Sequence, residues 1–172
     1  MGLFSKNEAK EFKALSAYDS FLSNLLSADS YLSRKMFSAR FDELGDIYQK
    51  LSLMQKENVL GERCKKNSVD FKKFKRLMDQ YASTSEAVEK HNDDYVKRHL
   101  KEDKAYLDDV LKKDDPKIRL DEEQRKVVLA DEDYTLVIAG AGSGKTTTIE
   151  AKVKYLVEKK GVDPSRVLIV SF

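Results

Sequence analysis

Through the first two-thirds of the chain, apolar residues recur at three- and four-residue intervals, the period of a helix with one buried face. Phe12, Leu15, Tyr18, Leu22 and Leu25 follow it and predict a helix over Lys6 to Leu26. The mostly polar run Ser27 to Ser30 predicts a turn. A second helix is expected from Tyr31 to Leu44, with Gly45 as its C-terminal cap. A third should start at Asp46, carry Ile47, Leu51, Leu53, Met54 and Val59, and stop near Gly61. Ser68 then reads as the N-cap of a long helix reaching Leu111. Its face holds Phe71, Phe74, Met78, Tyr81, Ser85 and Val88, spaced like a coiled-coil seam, and turns polar after Tyr95. Asp114-Asp115-Pro116 ends it, because proline lacks the backbone donor and restricts the residue before it.

Beyond that proline the pattern changes. A continuous apolar run, Leu136-Val137-Ile138, leads straight into the glycine-rich segment Ala139 to Thr146. The expected elements are a strand over Tyr134 to Ala139, a helix over Thr146 to Lys159 and a second strand over Arg166 to Ser171. Gly161 and Pro164 punctuate the connection, which should be right-handed if the strands lie parallel in one sheet.

The run Thr135 to Thr148 has the residue types of a phosphate-binding loop. Gly140, Gly142 and Gly144 permit backbone angles that turn successive N–H groups, with those of Ala141 and Ser143, toward one anion. Lys145 would reach the β- and γ-phosphates of ATP, and the Thr146 hydroxyl would sit on Mg²⁺, with Thr147 beside it. The following helix would turn its positive end toward the phosphates. Ala139 stands where the strict motif has glycine, a small-for-small variant.

Upstream lies Leu120-Asp121-Glu122-Glu123-Gln124-Arg125. Asp121 and Gln124 have the spacing of a capping box. The Gln124 amide also offers both donor and acceptor, which suits an adenine edge. Both readings stand on sequence alone.

These motifs resemble the UvrD/Rep group of superfamily 1 helicases, where an L-x-x-x-Q segment precedes an AGAGSGKT loop and the glutamine reads adenine. Arg166 to Phe172 resembles the following strand and the start of motif Ia. His91 to Leu111 looks like the helical lead-in of helicase IV and its relatives. The resemblance is specific over 120–172, weaker over 88–119 and absent before that. It implies an α/β P-loop (RecA-like) start preceded by an all-α, partly coiled-coil-like N-terminal region. The expected domains are a helical region 1–113, a linker 114–119 and the first part of motor domain 1A over 120–172. It implies Mg²⁺ and ATP as cofactors, Gln124, Arg125 and Ala139 to Thr147 as nucleotide-binding residues, and single-stranded DNA or duplex junctions as partners. Phe172 would contact single-stranded DNA; as a strand-end aromatic it reads equally well as core. No Walker B pair or later arginine motif occurs, so the chain is expected to be the N-terminal part of a longer helicase, inactive by itself. The alternative is a helicase-like ATPase whose helical region docks on RNA polymerase, as in related polymerase-associated proteins.

Composition adds limits. Charged residues make up 36% of the 172 residues, tryptophan is absent, and net charge is only +2. No apolar run approaches the ~20 residues of a membrane span, and the charged start has no signal-peptide pattern. Lys6 stands where a myristoylation motif after Gly2 needs Ser or Thr. Cys64 is the single cysteine, which fits a cytoplasmic protein. Between Lys56 and Arg76 eight basic residues face three acidic ones. That segment reads either as a solvated face or as a phosphate-binding patch, and the spacing of Phe71 and Phe74 favours the former. His91 and His99 lie too far apart along a helix to share one metal ion.

Overall fold

A computed structural model describes residues 8–140 and 142–170. The chain forms two compact units, Met1–His91 and Asn92–Phe172.

In the first unit, helix α1 spans Glu8–Leu26 and buries Leu15, Tyr18 and Leu22, three positions of the expected apolar rhythm. It packs on α5 (Phe71–Ala82), where the Phe12 and Phe74 rings lie 5.7 Å apart and Tyr18 meets Tyr81 edge-on at 5.4 Å. The expected helix from Tyr31 to Leu44 is instead an extended entry with Leu32 fully buried, a 3-10 turn at Arg34–Met36, and a short α2 (Ser38–Glu43). Tyr81 explains the turn that follows. Its hydroxyl donates to the Phe41 carbonyl at 2.7 Å, and its ring stacks on Phe41 at 4.6 Å. Burial pushes the Tyr81 hydroxyl pKa up to about 12. Gly45, expected as a cap, instead opens α3 (Gly45–Lys56).

Helices α3 and α4 (Leu60–Lys66) stop at non-glycine residues with left-handed backbones, Asn58 and Ser68, each at φ 57°. After each, an N–H reaches five residues back: Val59 to the Met54 carbonyl at 3.0 Å, and Val69 to the Cys64 carbonyl at 2.9 Å. This is the Schellman arrangement, which satisfies carbonyls a helix end leaves open. Gly61 therefore lies inside α4, and Ser68 closes a helix where it was expected to open one. The N-cap of α5 is Asp70, whose carboxylate accepts from the Lys73 N–H at 3.1 Å.

The single helix expected to reach Leu111 is three helices, α5, α6 (Thr84–Glu102) and α7 (Lys104–Asp109). At the first junction the Ser83 hydroxyl donates to the Asp79 carbonyl at 3.0 Å and the Thr84 hydroxyl to the Tyr81 carbonyl at 2.8 Å. Such back-bonds compete with the helical ladder and bend it. The buried seam passes through Thr84 in place of Ser85, because the Thr84 hydroxyl also accepts from Tyr18 at 3.2 Å inside the core.

The second unit has its own core of Leu107, Leu111, Leu120, Val128, Leu129, Ala151 and Tyr155. It is built on α6–α7, α8 (Glu122–Leu129) and α9 (Lys145–Glu158). The sequence places a division at 114–119, from proline and polar composition. The compact units divide earlier, because Leu107 and Leu111 share a core with residues after that linker.

Among the described residues there is no strand. Tyr134 to Ala139 and Arg166 to Val170, expected as strands, form no ladder, and Arg166 belongs to a 3-10 turn at Pro164–Arg166. Leu136, Ile138 and Leu168 are 85, 89 and 87% exposed. A strand is held by a neighbour's N–H and C=O groups and by burial of a face, and neither segment finds them among the described residues. Among the described residues there is thus no sheet from which the hand of the crossover can be read, and Ser171 lies outside them.

Candidate functional site

The capping box at Asp121 forms as expected. The Gln124 N–H donates to the Asp121 carboxylate at 2.8 Å, and the Asp121 N–H donates to the Gln124 side-chain oxygen at 2.9 Å. That spends the amide oxygen and leaves the NH₂, which donates to the Ser143 carbonyl in the glycine-rich segment at 3.1 Å. One side chain thus completes the capping box and also reaches the glycine-rich segment.

The glycine-rich segment is held by short local bonds. The Ser143 hydroxyl donates to the Gly140 carbonyl at 2.8 Å. Gly142 and Gly144 have φ of 74° and 82°, the region glycine tolerates. A Cβ on Gly144 would also stand 2.6 Å from the Gln124 side-chain nitrogen, so it would displace that amide from its place beside the loop. Gly144 is the N-cap of α9, a helix of 14 residues with no acidic residue in its first turn. Ala139, Gly140, Gly142 and Ser143 are exposed, Ala141 lies outside the described residues, and Thr147 is half-buried.

Lys145 and Thr146 are exposed at the start of α9. The Lys145 ammonium donates to the Ala139 carbonyl at 2.8 Å and the Gly140 carbonyl at 2.7 Å, so it lies folded over the loop it follows. Thr148 is buried and donates its hydroxyl to the Gly144 carbonyl at 2.9 Å, which pins the first turn of α9. Lys152, one turn further, donates to the Val128 carbonyl at 2.9 Å and to the Ala130 carbonyl. These are end-of-helix carbonyls of α8, so Lys152 ties α8 to α9, and burial pulls its pKa down.

Arg125 occupies a different place from its neighbour Gln124. Its Nε donates to the Leu120 carbonyl at 2.9 Å, and its guanidinium pairs with Asp108 of α7 at 2.7 Å. Asp108 also accepts from Lys104 at 2.7 Å. Hydrogen bonds from Lys104 and then Arg125 hold its carboxyl down at about 2.

A second group of contacts that sequence reasoning missed binds α9 to α6–α7. The Asp103 carboxylate pairs with Lys159 at 3.1 Å and accepts from the Tyr155 hydroxyl at 3.3 Å, with His99 Nδ1 at 3.2 Å. Tyr106 donates to Glu158 at 2.8 Å, Lys160 donates to the Tyr95 hydroxyl at 2.7 Å, and Lys154 pairs with Asp114. The signal available in the sequence was the continued apolar spacing of Leu100, Leu107 and Leu111 past Tyr95. His91, the other histidine, reaches the Ser30 carbonyl at 2.8 Å. Phe172 lies outside the described residues.

Residues 120–172 match the family model described as the UvrD/REP helicase N-terminal domain. Over 53 residues the chain is 49% identical to the "Probable DNA helicase II homolog" of Mycoplasma capricolum. It is 38% identical over 53 residues to the ATP-dependent DNA helicase UvrD1 of Mycobacterium leprae, and 38% over 53 to the ATP-dependent DNA helicase PcrA of Staphylococcus epidermidis. Each match covers 31% of this chain and 7% of the relative, so the chain spans less than a tenth of the length of these proteins. No solved structure matches the chain significantly. Over residues 120–172 the chain is thus similar to the N-terminal domain of UvrD/REP helicases. Among the described residues no helix is long and apolar enough to cross a membrane.

Proposed function

We propose that residues 120–172 form the ATP-binding start of a superfamily 1 motor, and that the chain is part of an ATP-dependent DNA helicase or translocase. The observation that carries this reading is the Gln124–Ser143 contact at 3.1 Å, which brings the glutamine-motif helix against the glycine-rich loop. A base-reading amide and a phosphate-reading loop must be close to bind one nucleotide. The α/β sheet start and the domain limits 120–172 belong to the same proposal.

The donor set fits Mg²⁺-ATP. Gly142 and Gly144 have positive φ, α9 presents its N-terminal N–H groups, and both Lys145 and Thr146 are exposed. Bound ATP supplies the transferable γ-phosphoryl group. The backbone from Gly140 to Thr147 would hold the phosphate chain. Lys145 would leave the Ala139 and Gly140 carbonyls for the β- and γ-oxygens, which exchanges two neutral acceptors for anionic ones. Thr146 would hold Mg²⁺, and Gln124 would turn its amide from Ser143 toward adenine. Single-stranded DNA is the proposed track, and Phe172 is retained as a proposed contact.

Lys145→Ala tests the loop. The side chain is exposed, so its loss opens no cavity and the melting temperature should hold. Binding of a fluorescent ATP analogue should fall to background. Undiminished binding by a folded Lys145→Ala protein would remove the loop from the site.

A further inference from the structure

Cations crowd the α4–α5 segment. Lys65, Lys66, Lys72, Lys75 and Arg76 are exposed and, among the described residues, pair with no carboxylate. Of the acids in that stretch, Asp70 is committed to capping α5 through the Lys73 N–H. Phe74, Leu77, Met78 and Tyr81 turn one face of α5 into the core. Lys72, Lys75 and Arg76 therefore fall on the other face, at the i, i+3, i+4 spacing that places side chains beside one another.

The sequence grouped Phe71 with Phe74 as one buried face, and the structure separates them. Phe74 is fully buried, whereas Phe71 stays 39% exposed. Its ring lies 3.9 Å from where a Cβ on Gly61 would stand. The ring therefore rests against α4 at Gly61, and Lys75 follows Phe71 by one helical turn.

We propose that the exposed face of α4–α5 binds single-stranded nucleic acid, as a surface separate from the nucleotide site. Lys72, Lys75 and Arg76 hold backbone phosphates, Lys65 and Lys66 flank them, and Phe71 offers its ring to an unstacked base. A strand carries a charge about every 3.4 Å along its axis, so one segment presents several phosphates to such a triad. Cations alone would serve any polyanion; the half-exposed ring among them is what favours an unpaired base.

The experiment uses the 172-residue chain and fluorescein-labelled oligothymidylate, with fluorescence anisotropy followed across a salt series. The triple variant Lys72→Glu, Lys75→Glu, Arg76→Glu should keep its circular dichroism melt and lose at least tenfold in affinity. Its log affinity against log salt should flatten by roughly 2, three contacts at about 0.7 each for a single strand. Phe71→Ala should weaken single-strand binding several-fold and leave duplex binding unchanged. The titration contains no nucleotide, so failure of the nucleotide site leaves this test readable. A folded triple variant with unchanged affinity and salt slope would overturn the proposal. So would a wild-type chain that binds polyglutamate but no oligonucleotide, which would mark the face as a site for an acidic protein.

Discussion

The Gln124 side chain bonds Ser143 and Asp121 at once, donating to the Ser143 carbonyl at 3.1 Å while accepting from the Asp121 N–H at 2.9 Å. Its two ends can be separated by mutation. Gln124→Glu keeps the acceptor for the cap and removes the NH₂ donor, whereas Gln124→Ala removes both. Gln124→Ala should cost about 0.5–1.5 kcal/mol of unfolding free energy, the net worth of a hydrogen bond, and Gln124→Glu less. Both should relax the preference for ATP over GTP in competition binding. Retained preference in a folded Gln124→Glu protein would restrict this residue to capping.

Gly144→Ala should be damaging beyond its size. A left-handed backbone costs a residue with a Cβ about 1–2 kcal/mol, and the new atom would press on the Gln124 nitrogen, 2.6 Å away. The melt should shift down and nucleotide affinity should fall together. Gly161→Ala is the control, since Gly161 also has positive φ, 68°, but open space around its Cβ position. Equal losses of nucleotide affinity in the two variants would remove the close approach to Gln124 from the explanation.

Acid should loosen the second unit through Asp108. Its folded pKa, about 2, lies below the ordinary carboxyl value because Lys104 and Arg125 bond its charged form. A depressed carboxyl contributes stability that is present above its unfolded pKa and lost as pH falls through the folded one. The loss should therefore run from about pH 4 down to about pH 2. Asp108→Asn should flatten that part of a stability-against-pH curve. An unchanged curve would mean that the pair with Arg125 does not persist in solution.

Truncation at two places should give opposite results. A chain starting at Asn92 keeps Leu107 and Leu111 with the rest of their core, whereas one starting at Asp114 loses both. Removing two buried leucines is worth about 2–5 kcal/mol each by analogy with truncation to alanine, comparable to the whole stability of a small domain. The longer piece should melt cooperatively by circular dichroism, and the shorter one should not. A cooperative melt of residues 114–172 would show that α8 and α9 suffice for a core.

Local chemistry made much of this protein legible in one dimension. The α1 rhythm, the Asp121–Gln124 box, the glycines before Lys145 and the start of α9 depend on residues within a few positions of each other, and short-range sterics and hydrogen bonds act at that distance. Tertiary structure decided whatever depended on a distant partner. Gly45 opens a helix where a cap was expected, in a turn that Tyr81 anchors from 40 residues away by bonding the Phe41 carbonyl. Thr84 displaces Ser85 from the seam because Tyr18, 66 residues earlier, offers it a hydrogen bond. Leu107 and Leu111 join the second unit because Ala151 and Tyr155 offer them a dry face. Arg125 is drawn to Asp108, and Gln124 to Ser143, although adjacent residues in a sequence give no hint of such different partners. Leu136 and Ile138 mark the other limit: an apolar run states a need for burial, and only a neighbouring strand can meet it.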